Sequence, residues 1–169
     1  IRVELTSTTR VGMHRYTFPK SDSSHILIDL SHRDPVLESR LRVVNDTTIE
    51  GYRRSAAWAR DQRIFFVAEF SRGADSIRLY SDDRIVTEKR EVRGKNLKAA
   101  ALYSTAEGEE IVARVGISAV SIEGARRNLR AELSGRNFDA VRAAASKQWN
   151  EELSRIEVSG GTPEQKEIF

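Results

Sequence analysis

Few residues of this 169-residue chain have the type and spacing that a catalytic or metal-binding site requires. The histidines are His14, His25 and His32, and none lies four residues from a second ligand as helical zinc motifs require. His14 falls in an alternating stretch, so we interpret it as a strand histidine satisfied by hydrogen bonds. The histidines therefore predict neither a metal site nor a histidine-based catalytic site.

The paired carboxylates are equally uninformative about catalysis. Asp82-Asp83, Glu109-Glu110 and Glu151-Glu152 are adjacent pairs, and adjacent side chains point to opposite faces of a strand and lie apart on a helix. We therefore predict that they are solvated and assign no catalytic residue. An acid and a base assembled from distant positions, as in a glycosidase, stay open because sequence alone cannot reveal them.

One cluster combines aromatic and basic side chains, with Tyr52, Arg53 and Trp58 as the candidate substrate-binding residues. If the chain is extended here, Tyr52, Arg54, Ala56 and Trp58 share one face of a strand. Aromatic and arginine side chains together can stack on a sugar or bind a partner protein. The competing interpretation places Trp58 in the core, with the arginines solvated.

Strands must position these residues, because the first two thirds of the chain alternate with a period of two. Ile1 to Thr6 and Val11 to Phe18 predict a hairpin. The nearly continuous apolar run His25 to Leu30 predicts a central strand. Leu97 to Thr105 and Glu110 to Ala119 predict a strand pair around a turn. About nine closely spaced strands predict a mainly β fold, an antiparallel β-sandwich.

The period changes to about 3.6 after Ser121, which can cap a helix whose end is marked by Gly135. A second helix is predicted from Phe138 to Leu153. The apolar stripes are formed by Ile122, Ala125, Leu129 and Leu133 in the first helix and by Phe138, Val141, Ala145, Trp149 and Leu153 in the second. We interpret both helices as connectors with two apolar interfaces.

The last residues predict a short strand at Ile156–Ser159 and then a capping box formed by Thr162 and Gln165. The helix that this capping box predicts would have barely two turns before Phe169, so we expect the natural chain to continue. Trp149 and Phe169 are the candidate domain-interface residues. The predicted organisation is a β-sandwich at 1–119, a helical linker at 120–155, and a short strand with the start of a helix at 156–169.

Composition limits the function classes. The chain is 39% hydrophobic and 31% charged, with a net charge of +3 and no cysteine, which excludes a disulfide-dense scaffold. The arginines are scattered among acidic residues, so no nucleic-acid partner is predicted. No apolar run reaches the roughly 20 residues that a membrane span requires, and no signal-peptide pattern is present.

Five segments in order resemble the front domain of glycoside hydrolase family 92, the bacterial exo-acting α-mannosidases. The segments are VELTSTTRVGMHRYTFP (3–19), GYRRSAAWARDQRIFFVAEFS (51–71), TAEGEEIVARVGISAVSIEGARRNLRAE (105–132), NFDAVRAAASKQWNEELSRIEVSG (137–160) and PEQKEIF (163–169). None is a catalytic signature, but together they cover almost the whole chain. The resemblance implies a sandwich of the supersandwich type, a helical linker and a C-terminal (α/α)6 barrel.

The resemblance also implies a calcium-dependent, inverting exo-α-mannosidase in which an acid protonates the leaving oxygen and a base activates water. Its acid, base and Ca²⁺ ligands are expected in the absent barrel, so no cofactor and no catalytic or metal residue is assigned to this chain. The implied partners are the chain's own catalytic domain and mannose-containing glycans. The implied location is periplasmic, cell-surface or secreted.

Three functional hypotheses follow. In the first, the chain is a non-catalytic part of the mannosidase that braces the barrel and helps to shape the substrate entrance. In the second, it is an autonomous carbohydrate-binding module that uses Tyr52 and Trp58. In the third, it is a structural interaction sandwich without a role in sugar binding.

Overall fold

The computed structural model describes residues 1–87 and 89–168, which form two antiparallel sheets and three helices. The strands are β1 (Arg2–Ser7), β2 (Val11–Phe18), β3 (Ser21–Asp29), β4 (Val36–Asn45), β5 (Thr48–Ser55), β6 (Gln62–Phe70), β7 (Ser76–Ser81), β8 (Arg84–Val86), β9 (Glu91–Gly94), β10 (Leu97–Thr105) and β11 (Glu109–Ser118). The helices are α1 (Ile122–Leu133), α2 (Phe138–Leu153) and α3 (Pro163–Ile168).

The two sheets differ in width. The larger has the strand order β1-β2-β11-β6-β5-β4-β9, and the smaller has the order β3-β10-β7-β8. All pairs are antiparallel, and β1 and β2 form the expected hairpin. The predicted mainly β, antiparallel sandwich followed by helices is confirmed.

Alternating strand residues build the core between the sheets, because every second side chain points to the same face. The fully buried members come from both sheets and include Phe18, Leu41, Ile49, Leu79, Leu97, Tyr103 and Ile111. The small residues Ala99 and Ala101 on β10 are also buried there. Both sheets therefore contribute large and small side chains to the core, since Ala68 and Ala113 of the larger sheet are buried there as well.

A second core lies on the opposite face of the larger sheet, under α1 and α2. It consists of Val11, Met13 and Val67 from the sheet and Ala125, Leu129, Leu133, Phe138 and Val141 from the helices. The first helix is capped as predicted, since Ser121 Oγ accepts a hydrogen bond from Gly124 N, and Gly135 has a φ of 68°. The larger sheet is therefore buried on both faces in its middle.

Gly116 on β11 lets α1 lie close to the sheet. A Cβ atom at this position would stand 2.5 Å from the carbonyl oxygen of Ala125 and 2.9 Å from Leu129 Cγ. The first of these atoms belongs to the helix backbone and cannot move without shifting α1. The glycine therefore sets the distance between helix and sheet.

Two strand predictions are wrong in their partners. β3, which contains the apolar run from His25 to Leu30 except for its last residue, lies at an edge of the smaller sheet rather than in its centre. β10 and β11 do not pair with each other: β10 pairs with β3 and β7, whereas β11 pairs with β2 and β6. The turn at Gly108, with a φ of 75°, carries the chain from one sheet to the other.

The end of the chain differs from its prediction in one element. Residues 156–159, which the structure describes, form no strand and are exposed. The capping box is present, since Thr162 N donates to Gln165 Oε1 and Gln165 N donates to Thr162 Oγ1. The division of the chain at residues 119 and 155 stays a prediction.

Candidate functional site

The predicted cluster of Tyr52, Arg53 and Trp58 is divided by the end of β5 at Ser55. Tyr52 and Arg53 lie on the strand, whereas Trp58 lies in the loop of residues 56–61, here called the Trp58 loop. The indole is fully exposed. The shared strand face and the core position of Trp58 are therefore both wrong, since the chain leaves the sheet three residues before the indole.

Arg53 is engaged by the fold. Its guanidinium donates to the carbonyl oxygens of Leu30 at 2.8 Å, His32 at 3.0 Å and Asp34 at 2.8 Å. These three oxygens belong to the segment between β3 and β4. Arg53 therefore fixes the connection between the two sheets, and its donors are used within the chain.

Tyr52 is also held by a neighbour. Its hydroxyl donates to the carboxylate of Glu38 on β4, and its ring lies 5.6 Å from the ring of Phe65. The hydrogen bond to Glu38 raises the pKa of Tyr52 above its usual value, and partial burial adds to the effect. Tyr52 consequently stays protonated and is anchored to the sheet beside the Trp58 loop.

The Trp58 loop is fixed at both ends. Arg54 Nε and Nη2 donate to the two carboxylate oxygens of Asp61 at 2.8 and 2.9 Å, and Ala56 N donates to the carbonyl oxygen of Pro35 at 3.1 Å. Bidentate arginine–carboxylate pairs are geometrically specific. The hydrogen bond from Arg54 lowers the pKa of Asp61. An exposed indole is thus presented on an anchored loop, which makes Trp58 the candidate contact residue of the cluster.

Trp149 lies on α2, where the apolar face leaves the sheet. Phe138 and Val141 at the start of the helix are buried, whereas Trp149 is 67% exposed and Leu153 is similarly open. The exposure of these large side chains makes α2 a candidate docking surface. The interface role of Trp149 stays a prediction, and Phe169 lies outside the described residues.

Glu50 on β5 is a buried carboxylate that sequence reasoning missed. It is 2% exposed and accepts hydrogen bonds from Arg42 Nε at 2.8 Å and from Arg126 Nη2 at 2.6 Å. Arg126 belongs to α1, so this cluster ties the helix to the sheet. A glutamate on a strand covered on both faces requires cations, but its partner Arg126 is 76 residues away along the chain.

A second carboxylate ties the end of α1 to the β1–β2 turn. Glu132 accepts hydrogen bonds from Thr8 Oγ1 at 2.5 Å, Arg10 N at 3.0 Å and Arg10 Nε at 2.6 Å. Burial alone would raise the pKa of Glu132, but the bonds from Thr8 and Arg10 outweigh burial and lower it. Glu132 therefore remains charged in the folded protein at a pH where a free glutamate is protonated.

This lowered pKa predicts acid sensitivity. A group whose pKa is lower in the folded state stabilises the fold above its unfolded value, here 4.5, and loses this contribution as the pH falls through the folded value. Glu132→Gln is expected to cost about 1–2 kcal/mol of unfolding free energy at pH 7, with a smaller cost at pH 3. Urea denaturation at both pH values measures the difference. Glu157→Gln, at an exposed position, is the control, and equal losses at both pH values would contradict the prediction.

Two of the adjacent carboxylate pairs lie at turns or strand ends. Asp82 and Asp83 both have positive φ in the tight turn between β7 and β8, and Asp83 accepts a hydrogen bond from Lys98. Glu109 accepts from Arg72 at 2.5 Å and from Ala106 N at 2.8 Å, and the Ala106 N–H lowers its pKa most strongly. These carboxylates stabilise turns and strand ends.

The histidines are dispersed, and His14 Nδ1 lies 2.9 Å from Tyr16 Oη. Burial lowers the pKa of His14. Within residues 1–87 and 89–168, no group of three or more histidine or carboxylate side chains is placed to hold a metal ion. No helix among the described residues is long and apolar enough to cross a membrane.

A two-sheet antiparallel sandwich with helices packed on its wider sheet defines the class of this protein as a β-sandwich domain followed by helices. The model of the glycosyl hydrolase family 92 N-terminal domain matches residues 1–118, and the family 92 catalytic-domain model matches residues 124–169. The chain belongs to glycosyl hydrolase family 92. The second match begins inside α1, so the helices on the sheet carry the start of the catalytic-domain match.

Solved structures of the same family share the fold. A family GH92 α-mannosidase from Bacteroides thetaiotaomicron is 36% identical, with a TM-score of 0.86 over 94% of this chain and 22% of that chain. The GH92 family glycosyl hydrolase ccman5 is 26% identical, with a TM-score of 0.84 over 95% of this chain and 22% of that chain.

An inverting family GH92 mannosidase from Bacteroides thetaiotaomicron VPI-5482 is 22% identical, with a TM-score of 0.81 over 94% of this chain and 21% of that chain, and its likeness concerns the fold alone. The chain thus spans about a fifth of the length of these structures, with 22% coverage of the first. No curated protein sequence matches the chain.

Proposed function

We propose that this chain is the N-terminal sandwich and the start of the catalytic domain of a calcium-dependent, inverting exo-α-mannosidase. The observation that carries the proposal is the pair of consecutive family matches, with the sandwich at 1–118 and the catalytic-domain start at 124–169. It is supported by the likeness to a GH92 α-mannosidase at 36% identity. The substrate class is mannose-containing glycans.

The catalytic acid and base that this proposal requires are expected in the rest of the polypeptide. An inverting glycosidase needs a carboxylic acid to protonate the leaving oxygen and a carboxylate, on the other face of the sugar, to activate water. Several carboxylates of the adjacent pairs are bound by cations: Asp83 by Lys98, Glu109 by Arg72 and Glu152 by Arg155. Residues 1–169 are accordingly proposed to lack turnover and to act by bracing and positioning the catalytic domain.

The bracing role follows from the way the helices are held. Glu50–Arg126 and Glu132–Arg10 join α1 to the sheet through short ion pairs, while Arg15 joins Asp139 of α2 at 3.1 Å and lies over the ring of Phe138 at 4.4 Å. The start of the catalytic-domain match is thus fastened to the sandwich. A rigid connection of this kind lets the sandwich fix the position of whatever follows α2.

The class of enzyme is tested with the full-length protein. Aryl α-mannosides should be hydrolysed, a chelator should abolish turnover, and added calcium should restore it. Proton NMR of the first product should show β-mannose, the inverted anomer. Turnover that resists chelation would contradict the calcium-dependent part of the proposal. α-Mannose as the first product would contradict the inverting part.

Export to the periplasm, the cell surface or the medium belongs to the same proposal and is tested by fractionating the host bacterium.

Trp58 is the residue proposed to help shape the substrate entrance of the enzyme, here called the entrance role. The proposal rests on its fully exposed indole, which stands on an anchored loop. Trp58→Ala in the full-length enzyme is expected to lower kcat/KM for mannosides about tenfold, equivalent to about 1.4 kcal/mol. The melting temperature should be unchanged, since the substitution removes no buried contact within the chain. Ile85→Ala, at another exposed apolar residue, is the matched control. Equal kcat/KM values for both variants would refute the role of Trp58.

The same exposed indole favours a second candidate function, an autonomous carbohydrate-binding module. In that case residues 1–169 alone should bind mannobiose or mannan in calorimetry, and Trp58→Ala should abolish binding. Binding by the full-length enzyme only, with none by residues 1–169, would reject the module and favour the entrance role.

A further inference from the structure

The outer face of the smaller sheet contains a hollow of about 350 Å³. Both chain neighbours of Ala100 on β10 are buried in the core between the sheets. Ala100 therefore points outward, because successive side chains of a strand point to opposite faces. The hollow is called the outer hollow here and is defined by Leu27 on β3, Tyr80 on β7, and Ala100 and Leu102 on β10.

Ala100 forms the floor of the outer hollow. It stands between Leu27 on β3 and Arg78 on β7, and both of these neighbours have longer side chains. Leu27 is 53% exposed, whereas Ala100 is buried. A single methyl group between longer side chains leaves a depression in the sheet surface, so a larger residue in place of Ala100 would fill it.

The walls of the outer hollow are apolar and aromatic. Tyr80 is half-buried and stands beside Lys98 of β10, while Leu27 and Leu102 supply aliphatic surface. A pyranose ring has a face of C–H groups, and aromatic and aliphatic side chains remove such a face from water. The walls therefore fit the apolar face of a sugar.

Two charged groups lie beside these walls. Lys98 Nζ donates a hydrogen bond to Asp83, and both residues line the outer hollow. This hydrogen bond lowers the pKa of Asp83 and raises the pKa of Lys98, so both side chains stay charged near neutral pH. A carboxylate accepts hydrogen bonds and an ammonium group donates them, so neighbouring hydroxyl groups of one sugar can bind to both.

His25 is a further polar residue that lines the outer hollow. Its Nδ1 lies 3.2 Å from the carbonyl oxygen of Ser23, and Nδ1 is the donor because a carbonyl oxygen only accepts. Nε2 is then the ring nitrogen that remains for a ligand. Apolar walls with a few polar groups are the usual composition of a small-molecule site.

The size and the charges of the outer hollow favour a small ligand over a protein. Small-molecule sites have volumes of roughly 300–1,000 Å³, and the outer hollow has about 350 Å³. The core of a protein interface is depleted of charged residues, whereas Lys98 and Asp83 line this hollow together with its apolar floor. Because their charges are opposite, the ligand that fits is uncharged and rich in hydroxyl groups.

We propose that the outer hollow binds one sugar unit of a mannose-containing glycan, at a site separate from the one that cleaves it. The sugar packs its C–H face on Tyr80 and exchanges hydrogen bonds with Asp83 and Lys98. Mannose is chosen because this inference rests on the proposed function, in which the enzyme acts on mannose-containing glycans. A second contact with the same glycan raises the overall affinity of the enzyme for a branched or polymeric substrate.

The outer hollow is independent of the Trp58 loop. Leu27, Tyr80 and Ala100 belong to the smaller sheet, whereas the Trp58 loop connects two strands of the larger sheet. Substitutions in the outer hollow therefore test this site without altering the residue proposed for the entrance role.

The first test is Ala100→Leu in the full-length enzyme, measured by affinity electrophoresis in gels that contain mannan. The leucine fills the outer hollow from its floor, so the Kd for mannan is expected to rise at least about tenfold. The melting temperature should not fall, because the added side chain projects away from the core. Ala106→Leu is the control, since Ala106 is exposed and lies outside the outer hollow. Equal Kd values for the two variants would overturn the proposal.

Tyr80 provides a second pair of variants. Tyr80→Phe keeps the ring and is expected to bind mannan within about twofold of the unmodified enzyme, whereas Tyr80→Ala is expected to lose about tenfold. Mannan binding by Tyr80→Ala that equals that of Tyr80→Phe would overturn the proposal.

Other occupants give different results in the same experiments. A concentration-dependent dimer that Ala100→Leu abolishes, with mannan binding unchanged, would overturn the proposal, because a second copy would then occupy the outer hollow. Retention in a gel of dextran, a glucose polymer, that Ala100→Leu abolishes would also overturn it if mannan caused no such retention.

Hydrolysis of an aryl α-mannoside, measured on the same samples, separates this proposal from the proposed function. An aryl mannoside has a single sugar unit, so Ala100→Leu is expected to leave its kcat/KM unchanged, and a tenfold loss would overturn the separation of the two sites. Mannan binding that is sensitive to Ala100→Leu in a protein without mannosidase activity would support the outer hollow and refute the proposed function. An active mannosidase whose mannan binding is insensitive to Ala100→Leu would do the reverse.

Discussion

Replacing Glu50 with alanine is expected to lower the free energy of unfolding by about 3 kcal/mol. The carboxylate is 2% exposed and accepts hydrogen bonds from Arg42 and Arg126. Its removal leaves two guanidinium groups facing each other across the contact between α1 and the sheet, without the anion that neutralises them. Urea denaturation of residues 1–169 measures the loss.

The matched control is Glu91→Ala. Glu91 also lies on a strand of the larger sheet and also accepts a hydrogen bond from an arginine, Arg40, but its side chain is 37% exposed. Ion pairs in contact with water contribute little, so a much smaller loss is expected. Adding Arg126→Met to Glu50→Ala should recover part of the stability, because the unpaired charge is then removed as well. Equal losses from Glu50→Ala and Glu91→Ala would contradict the structural role of the buried cluster.

Replacing Gly116 with valine is expected to cost about 2–3 kcal/mol of unfolding free energy. The new Cβ would lie 2.5 Å from the carbonyl oxygen of Ala125, so α1 has to move away from the sheet. Valine is itself favoured in strands, so the loss would arise from the helix contact rather than from strand propensity. Thermal or urea denaturation measures it.

Gly12→Val on the neighbouring strand β2 is the control for this substitution. A Cβ atom at Gly12 has His14 Nε2 at 3.8 Å as its nearest neighbour, which is an ordinary contact distance. We expect little change in stability there. A Gly116→Val variant as stable as Gly12→Val would show that α1 does not depend on this close approach.

The local elements could be predicted because their signals lie within a few residues. Ser121 and Gly135 mark the ends of α1, and their geometry is as expected. Thr162 and Gln165 form the expected capping box. Periodicity also separates the β region from the helical region, because the repeats of the two structures differ.

The pairing of strands could not be predicted, because periodicity specifies which side chains share a face and not which strand lies beside it. The turn at Gly108 is short enough for a hairpin, yet β10 and β11 belong to different sheets. The apolar run of β3 suggested a central strand, but Leu27 is exposed at an edge of the smaller sheet. A short apolar run is compatible with either position.

The candidate site was predicted only in part for the same reason. Tyr52, Arg53 and Trp58 are neighbours in sequence, but the structure uses Arg53 to hold the β3–β4 connection and exposes Trp58 on a loop. The ion pair of Glu50 with Arg126 joins residues 76 positions apart. Contacts of this kind depend on the tertiary fold and leave no local pattern.

The measurement that tests the central claim most directly is hydrolysis of an aryl α-mannoside, with calcium present, by two preparations. One is residues 1–169 alone, and the other is the polypeptide extended through the catalytic domain whose match begins at residue 124. We predict turnover by the extended protein and none above the uncatalysed rate by residues 1–169. Turnover by residues 1–169 alone would contradict the account, as would an extended protein that leaves α-mannosides intact.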